Sequence, residues 1–154
     1  MLKIRSEQEM MQLGEKIGER LKTGDLLFLS GDLGAGKTTL AKGIAKALEI
    51  EEEITSPTFQ IIKSYQGRIN LIHLDLYRLK DQNELDILDP DSLVDSGAVV
   101  IEWGELWDKK IYPHYLEIKI EYNHGSNGRM VNFFPFGPRY QKLIEGIDNV
   151  NTGF

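Results

Sequence analysis

The stretch GDLGAGKTT, residues 31–39, decides the fold of this chain. It follows the short apolar run LLFL, residues 26–29, and precedes a segment whose apolar residues recur at helical spacing. Its first eight residues fit the pattern G-x-x-x-x-G-K-[ST], in which glycines let successive backbone N–H groups converge on phosphate oxygens. The order of strand, glycine-rich loop and helix therefore predicts a P-loop that binds a nucleotide.

Two side chains of this loop have the chemistry that a nucleotide phosphate requires. Lys37 carries a positive charge that can reach the β- and γ-phosphates, and the helix that begins near it adds its positive end. The Thr38 hydroxyl can ligate Mg²⁺, with water and phosphate oxygens in the other positions. The loop thus predicts a nucleotide bound together with a divalent cation.

Two acidic residues follow apolar runs elsewhere in the chain. Asp75 ends the run LIHLD, and Glu102 ends the run VVIE. Either could be a surface acid at the end of a strand. An acid at the carboxyl end of a strand beside the P-loop strand could instead hold a metal ion and a water molecule. Two such runs in a chain with a P-loop favour that role for at least one of them.

The sequence lacks the segments that mark several other P-loop classes. It has no Asn-Lys-x-Asp segment to read guanine and no Asp-x-x-Gly switch, so ATP is favoured over GTP. Its six arginines are dispersed and no long lid insertion is visible, which argues against a small-molecule kinase. The Leu-Ser-Gly-Gly signature of transporter-type ATPases is absent as well.

Length and composition predict one soluble domain. The chain has 154 residues, and we expect a single domain over residues 1–148, followed by a weakly patterned tail, residues 149–154, that is compatible with disorder. The net charge of −6 argues against broad binding to a nucleic-acid backbone, and the absence of cysteine excludes disulfides and thiolate zinc sites. No apolar run is long enough for a membrane span or a signal peptide, so the expected location is cytoplasmic.

Hydrophobic periodicity divides the chain into alternating helices and strands. Predicted helices cover residues 7–22, capped by Ser6 with Glu9 in a capping box, a segment from Lys37, residues 83–93 with an interruption at Pro90, and a short segment after Pro138. Predicted strands cover residues 25–30, 59–65, 69–76, 98–102, 116–122 and 129–136. We therefore expect a P-loop NTPase-like α/β fold, with a mainly parallel central sheet, flanking helices and antiparallel strands added by two hairpins.

Four motifs together identify a family. GDLGAGKTT is followed by SPTF at residues 56–59, HLDLYRL at residues 73–79 and IEWGE at residues 101–105. In order and spacing, residues 24–107 resemble the TsaE family, also called YjeE, the small bacterial ATPases required for threonylcarbamoyladenosine formation in tRNA. SPTF and H-x-D-x-Y-R are much more discriminating than the P-loop alone.

The resemblance implies roles for individual residues. It assigns the nucleotide phosphates to Gly34, Ala35, Gly36, Lys37, Thr38 and Thr39, with Thr38 on Mg²⁺. Glu102 completes the metal site. Asp75 is also counted with the metal site and is needed for hydrolysis, by holding metal-bound water or the switch. Residues 55–59 form a switch-like loop facing the γ-phosphate. Trp103 lies near the site, although a half-buried core aromatic explains it equally well. His73 is in phase with Asp75, yet a satisfied core histidine is the favoured interpretation.

The adenine site is the least readable part of the resemblance. It points to Ser6, Glu7 and Arg129, near the start of the first helix and the last hairpin. Ser6 could be a helix cap alone, and Arg129 a solvated charge at the start of a strand. Arg78 of the third motif receives no single role, because phosphate, a partner protein or a salt bridge would each account for it.

The function implied by the resemblance is that of an accessory ATPase. The chain would hydrolyse ATP with Mg²⁺, slowly when alone and faster with its partner, the TsaD–TsaB heterodimer, which it would reset between turnovers. It would reach tRNA only indirectly, through that complex, and would not act at a membrane. Two alternatives stay open, a small-molecule P-loop kinase and a nucleotide-gated binding module. The acidic segment LDILDPDSLVD departs from the family pattern and bears on the partner surface.

Overall fold

The computed structural model describes residues 1–32, 34–55, 62–77, 83, 90–103 and 112–147. The strands are β1 (Leu2–Ile4), β2 (Leu26–Gly31), β3 (Ile62–Tyr65), β4 (Leu71–Asp75), β5 (Ala98–Glu102), β6 (Tyr115–Tyr122) and β7 (Arg129–Phe136). The helices are α1 (Glu7–Arg20), α2 (Lys37–Ala47), α3 (Pro90–Ser96) and α4 (Pro138–Leu143). In the described part of the chain, the strands form one seven-stranded sheet with the order β1-β7-β6-β2-β5-β4-β3.

The centre of the sheet is parallel. β2 pairs in parallel with β5 and β6, and β5 pairs in parallel with β4. Antiparallel strands lie at the margins, with β3 beside β4, β7 beside β6 and β1 beside β7. Every residue of β5 is buried, as expected for a parallel strand covered on both faces. The predicted α/β fold, with a mainly parallel sheet extended by two antiparallel hairpins, is confirmed.

Helices α1 and α2 pack against each other on one face of the sheet. Their backbones approach so closely that a Cβ on Gly43 would lie 2.1 Å from the carbonyl oxygen of Met11. A Cβ on Gly14 would likewise lie 2.3 Å from the carbonyl oxygen of Leu40. Leucines and isoleucines of both helices fill the core over this face. The close contact fixes the start of α1 relative to the start of α2, where the P-loop ends.

A smaller apolar cluster covers the other face of the central strands. It contains Phe28 of β2, Leu74 of β4 and Ile101 of β5, all of them buried. Leu93 and Val94 of α3 pack against it. Both faces of the central strands are therefore covered, which is why these strands read as continuous apolar runs in the sequence.

Strand β2 begins beside a buried ion pair. Asp25 is 4% exposed, and its carboxylate accepts hydrogen bonds from Arg139 Nε at 3.0 Å, Arg139 Nη2 at 2.7 Å and the Lys22 N–H at 2.8 Å. The bond to Asp25 raises the pKa of the Arg139 guanidinium. Next to it, the Leu26 N–H donates to the hydroxyl of Tyr140 at 2.8 Å. Helix α4 is therefore attached to the first residues of the P-loop strand.

Helix α1 is capped by Ser6 as predicted, but the predicted capping box is wrong in its second hydrogen bond, from the Ser6 N–H to the Glu9 side chain. The Glu9 N–H donates to Ser6 Oγ at 3.1 Å, which satisfies one of the N–H groups left open at the helix start. The Glu9 carboxylate, however, accepts from the N–H of Arg5 at 2.7 Å instead of that of Ser6. The helix ends at Arg20, two residues before the predicted end.

Pro90 is the first residue of α3, where a missing N–H costs no hydrogen bond, and the helix runs to Ser96, three residues beyond the predicted end at residue 93. The predicted helical residues 84–89 lie outside the described residues, as do residues 59–61 of a predicted strand, residue 148 and the tail, residues 149–154. Strand β1 was not predicted, since its three residues are too few to show a period. None of the helices described is long and apolar enough to span a membrane.

Candidate functional site

The glycine-rich loop connects β2 to α2 at the carboxyl edge of the parallel strands. Gly31 ends β2, and a Cβ there would lie 2.2 Å from the carbonyl oxygen of Ile120 in β6. Gly36 precedes α2 with a φ of 119°, in the left-handed region that favours glycine. The close approach at Gly31 and the left-handed backbone at Gly36 explain why the loop needs glycine at these two positions. The loop backbone borders a concavity at the start of α2.

Lys37 is buried at the first position of α2. Its side chain is folded back, so that Nζ donates to the carbonyl oxygen of Gly31 and, at 3.2 Å, to that of Asp32. The same ammonium group lies 4.1 Å from the centroid of the Trp103 ring. The lysine therefore stands between the loop and the end of β5, the strand that carries Glu102.

The two acids identified from the sequence lie side by side. Asp75 and Glu102 are register partners in the last pairing of β4 and β5, and Leu29 of β2 is the partner of Glu102 on its other side. Glu102 is 3% exposed, whereas Asp75 is half-buried and accepts a hydrogen bond from the Tyr77 N–H at 3.0 Å. The sheet thus collects two carboxyl groups beside the strand that feeds the P-loop.

His73 contacts one of these acids. Its Nε2 lies 2.5 Å from Glu102 Oε2, and its side chain is fully buried. Its Nδ1 has no hydrogen-bond partner among the described residues. The expectation of a core histidine is correct for burial, but the ring is bonded to a site carboxylate. In the sequence, His73 and Asp75 are two residues apart on one strand, which placed them on the same face. The contact itself is made to Glu102 on the neighbouring strand β5.

The donors present fit a small, oxygen-preferring cation. Thr38 is half-buried at the second position of α2, and Glu102 supplies a carboxylate from the adjacent region of the sheet. Within the described ranges, no three histidine, cysteine, aspartate or glutamate side chains cluster closely enough to hold a metal ion. Magnesium is commonly held by one or two protein oxygens with water and substrate phosphates, so Thr38 and Glu102 suit it better than an all-protein cage would.

A cleft that is partly open to solvent adjoins the loop on the side of α1. Its lining comprises Ile4, Ser6, Glu7, Met10, Gly34, Ala35, Gly36, Thr39, Asn127 and Arg129. The three residues expected near adenine therefore share one cleft with four of the residues expected near the phosphates. Sequence reasoning missed the apolar side chains of Ile4 and Met10, which flank the Ser6 cap. It also missed Asn127, because its position in a loop gave no indication that it would line the cleft.

Trp103 lies at the end of β5 with a φ of 58°, which is uncommon for a residue other than glycine. The centroid of its ring lies 4.9 Å from the centroid of the Tyr77 ring, and Tyr77 is 63% exposed. With the Lys37 contact, this places Trp103 between the P-loop lysine and the surface. The predicted switch at residues 55–59 is described only at residue 55, and Arg78 falls outside the described residues.

Comparison with known proteins gives a consistent result. Residues 4–131 match the model of the family described as "Threonylcarbamoyl adenosine biosynthesis protein TsaE". A Mycobacterium tuberculosis protein named "tRNA threonylcarbamoyladenosine biosynthesis protein TsaE" is 40% identical over 136 residues, covering 82% of this chain and 81% of its own length. The Nostoc protein of that name is 40% identical over 147 residues, covering 92% and 89%.

A solved structure is similar over nearly the whole chain. The crystal structure of Bacillus subtilis YdiB superposes with a TM-score of 0.80 at 32% sequence identity. The match covers 96% of this chain and 92% of that one. The P-loop NTPase-like architecture predicted from the glycine-rich loop is confirmed.

Proposed function

We propose, from the premise that this chain belongs to the TsaE family, that it is a Mg²⁺-dependent ATP hydrolase serving tRNA threonylcarbamoyladenosine biosynthesis. In that role it acts as an accessory subunit that resets the TsaD–TsaB complex between turnovers. The observation that carries the ATPase assignment is the register pairing of Asp75 with Glu102 beside the strand that ends in the P-loop.

The loop and Lys37 bind the phosphates in this proposal. Backbone N–H groups of residues 34–39, together with the start of α2, face the phosphate oxygens. These backbone donors bind the anion without the help of a side chain. Lys37 now donates to the Gly31 and Asp32 carbonyl oxygens, and a bound phosphate oxygen offers its ammonium a stronger, charged acceptor. Lys37 then stabilises the negative charge that develops on the transferred phosphoryl group.

The two carboxyl groups arrange the attacking water. Glu102 and Thr38 would hold Mg²⁺, which would neutralise charge on the phosphate oxygens. Asp75 is the more exposed acid, so it orients the water and accepts its proton as the new bond to phosphorus forms. The bond from the γ-phosphorus to the bridging oxygen breaks, and ADP and phosphate leave. His73 holds the Glu102 carboxylate in place through Nε2.

The cleft beside α1 is the proposed site of the nucleotide base. Its lining combines the apolar side chains of Ile4 and Met10 with polar groups at Ser6, Glu7 and Asn127. A flat apolar base with polar edges suits such a lining. ATP is preferred over GTP in this proposal because the sequence has no guanine-reading segment.

Phosphate release from ATP tests the proposal directly. We expect slow release with Mg²⁺ alone, faster release with saturating TsaD–TsaB, and loss on chelation of the metal. Lys37→Ala should lower turnover by roughly 100-fold or more, because an electrostatic stabiliser of the transition state is removed.

Three outcomes would contradict the proposal, each in favour of a different interpretation. Binding of ATP without hydrolysis, even with TsaD–TsaB, would indicate a nucleotide-gated binding module. Appearance of the γ-phosphate on a metabolite would indicate a kinase. Turnover that is unchanged by saturating TsaD–TsaB would remove the accessory role while leaving the hydrolase.

A further inference from the structure

Arg129 lies where the last hairpin of the sheet meets the phosphate loop. It is the first residue of β7, and its register partners are Tyr122 at the end of β6 and Ile4 at the end of β1. Its position is therefore fixed by pairing on both sides. Its side chain crosses to Ala35 in the loop, 94 residues earlier in the chain.

The hydrogen bonds of Arg129 go to backbone carbonyl groups. Nε donates to the carbonyl oxygen of Ala35 at 3.0 Å, and Nη1 donates to those of Asn127 at 2.9 Å and Gly128 at 3.0 Å. The guanidinium carbon lies 4.2 Å from the centroid of the Tyr122 ring. A planar guanidinium held by three acceptors and one aromatic face has little freedom to turn toward a ligand.

Tyr122 contacts the loop as well. A Cβ on Gly34 would lie 3.0 Å from the Tyr122 hydroxyl oxygen, so the ring tip is packed against the loop backbone. Ala35 is fully buried, and its N–H donates to the carbonyl oxygen of Asp32 at 3.0 Å. Two successive loop residues, Gly34 and Ala35, are therefore in contact with side chains of the β6–β7 hairpin.

Peptide geometry links the Ala35 carbonyl to the anion-binding side of the loop. The Ala35 C=O and the Gly36 N–H belong to one planar trans peptide unit, so they point in opposite directions. Holding the carbonyl oxygen toward Arg129 consequently aims the Gly36 N–H away from the hairpin. The Gly36 N–H lies at the start of α2, where backbone donors are available to an anion.

We propose that Arg129, stacked on Tyr122, is a positioning residue that sets the orientation of the Ala35–Gly36 peptide for phosphate binding, rather than a residue that reads the adenine base. The inference rests on the proposed nucleotide site. The P-loop is thus braced by a hairpin that lies almost a hundred residues away in sequence, and its preorganisation is present before the ligand arrives.

Nucleotide affinity distinguishes a brace from a base contact. Calorimetric titration with ADP and with GDP should show both affinities falling by a similar factor in Arg129→Met, roughly 10- to 100-fold for a lost charge-assisted bond. Arg129→Lys should recover part of the loss, because an ammonium can still donate to one carbonyl oxygen. A loss for ADP that clearly exceeds that for GDP would assign Arg129 to the base and overturn the proposal.

Arg139→Met is the matched control. Arg139 also makes three hydrogen bonds, two to Asp25 and one to the carbonyl oxygen of Arg20, but it lies outside the cleft. Its loss should destabilise the fold while leaving ADP affinity within about twofold, as for distant sites that share no partners. An equal loss of affinity in both variants would show that Arg129 acts only through overall stability, which also overturns the proposal.

Hydrogen exchange of the nucleotide-free protein tests the brace without any ligand. Amides in residues 34–37 should exchange about tenfold faster in Arg129→Met than in the wild type or in Arg139→Met. Unchanged exchange there would refute the proposal even if ADP affinity fell. If the wild type bound no ADP, the proposed function would fail, and the exchange measurement would still decide the brace. Should Arg129→Met not fold, Tyr122→Leu carries both measurements with the same expected directions.

Discussion

Strand β2 has a buried charge near each end, and the surroundings of the two charges differ. Before its first residue, Asp25 is bonded to the opposite charge of Arg139 and to the N–H of Lys22. After its last residue, Lys37 contacts two carbonyl oxygens and the Trp103 ring. At that same end, the neighbouring strand β5 carries Glu102, and Asp75 is its register partner on β4, the next strand along the sheet.

The difference separates stability from function within one strand. An opposite-charge pair with directed hydrogen bonds lowers the energy of the folded state and leaves little for a ligand to gain. Two carboxyl groups at the ends of neighbouring strands instead offer oxygen ligands of the kind that a divalent cation prefers. We therefore expect substitutions near Asp25 to change unfolding, and substitutions near Glu102 to change turnover.

The largest expected effect is at the P-loop end. Glu102→Gln should lower kcat for ATP hydrolysis by roughly 100- to 1000-fold, because the carboxylate proposed to bind the metal is lost while the shape is kept. The unfolding midpoint should change little, since the amide keeps an oxygen acceptor for His73. Phosphate release and thermal unfolding measure the two quantities. A lower unfolding midpoint with an unchanged kcat would show that Glu102 contributes to stability and not to turnover.

Asp25→Asn is the corresponding change at the start of β2. We expect a loss of about 2–3 kcal/mol in the free energy of unfolding, because Arg139 loses its charged acceptor in a largely buried setting. ADP affinity should remain within about twofold of wild type. Urea denaturation measures the first quantity, and Asp95→Asn, at an exposed position of α3, is the control. A weakened ADP complex in Asp25→Asn would show that the two ends are coupled.

A smaller effect is expected at His73. Removing its bond to Glu102 with His73→Leu should raise the Mg²⁺ concentration for half-maximal turnover about tenfold, because the carboxylate loses the group that orients it. His73→Gln retains a donor near the position of Nε2 and should recover part of the metal affinity. Identical Mg²⁺ titrations for the wild type and His73→Leu would mean that the histidine only fills the core.

The smallest expected effect is an alkaline one at the start of β2. Burial raises the pKa of Tyr140, and the charge of Asp25 adds to the effect. A raised folded-state pKa gives stability that is complete below the unfolded value of about 10 and is lost as pH rises through the folded value. Tyr140→Phe cannot ionise, so its unfolding midpoint should fall less steeply above that pH. Equal slopes for the two proteins would contradict the prediction.

Local sequence patterns predicted the central elements well. The glycine-rich loop located β2 and α2, and the apolar run before Glu102 located a strand that is buried throughout. Apart from β1, which was not predicted, and β3, whose predicted residues 59–61 lie outside the described residues, the strand boundaries are within two residues of the predictions. These features are set by hydrophobic period and by glycine geometry, both of which act over a few residues.

The missing features depend on contacts between distant segments. The bond between His73 and Glu102 requires the register of two strands, and the bond between Arg129 and Ala35 requires the placement of a hairpin on a loop. Neither is encoded within a short window. Asn127 lines the cleft for the same reason.

The short strands at the two margins of the described sheet have a consequence for the behaviour of the chain in concentrated solution. β1 has three residues and β3 has four, whereas β6 and β7 have eight each. A sheet edge recruits strands from other molecules through its outward-facing N–H and C=O groups, and a short edge presents few of them. The exception is β7, because β1 pairs only with its residues 129–131. Residues 132–136 have no strand partner on that side among the described residues, so this is where the described sheet is most open to a strand from another molecule.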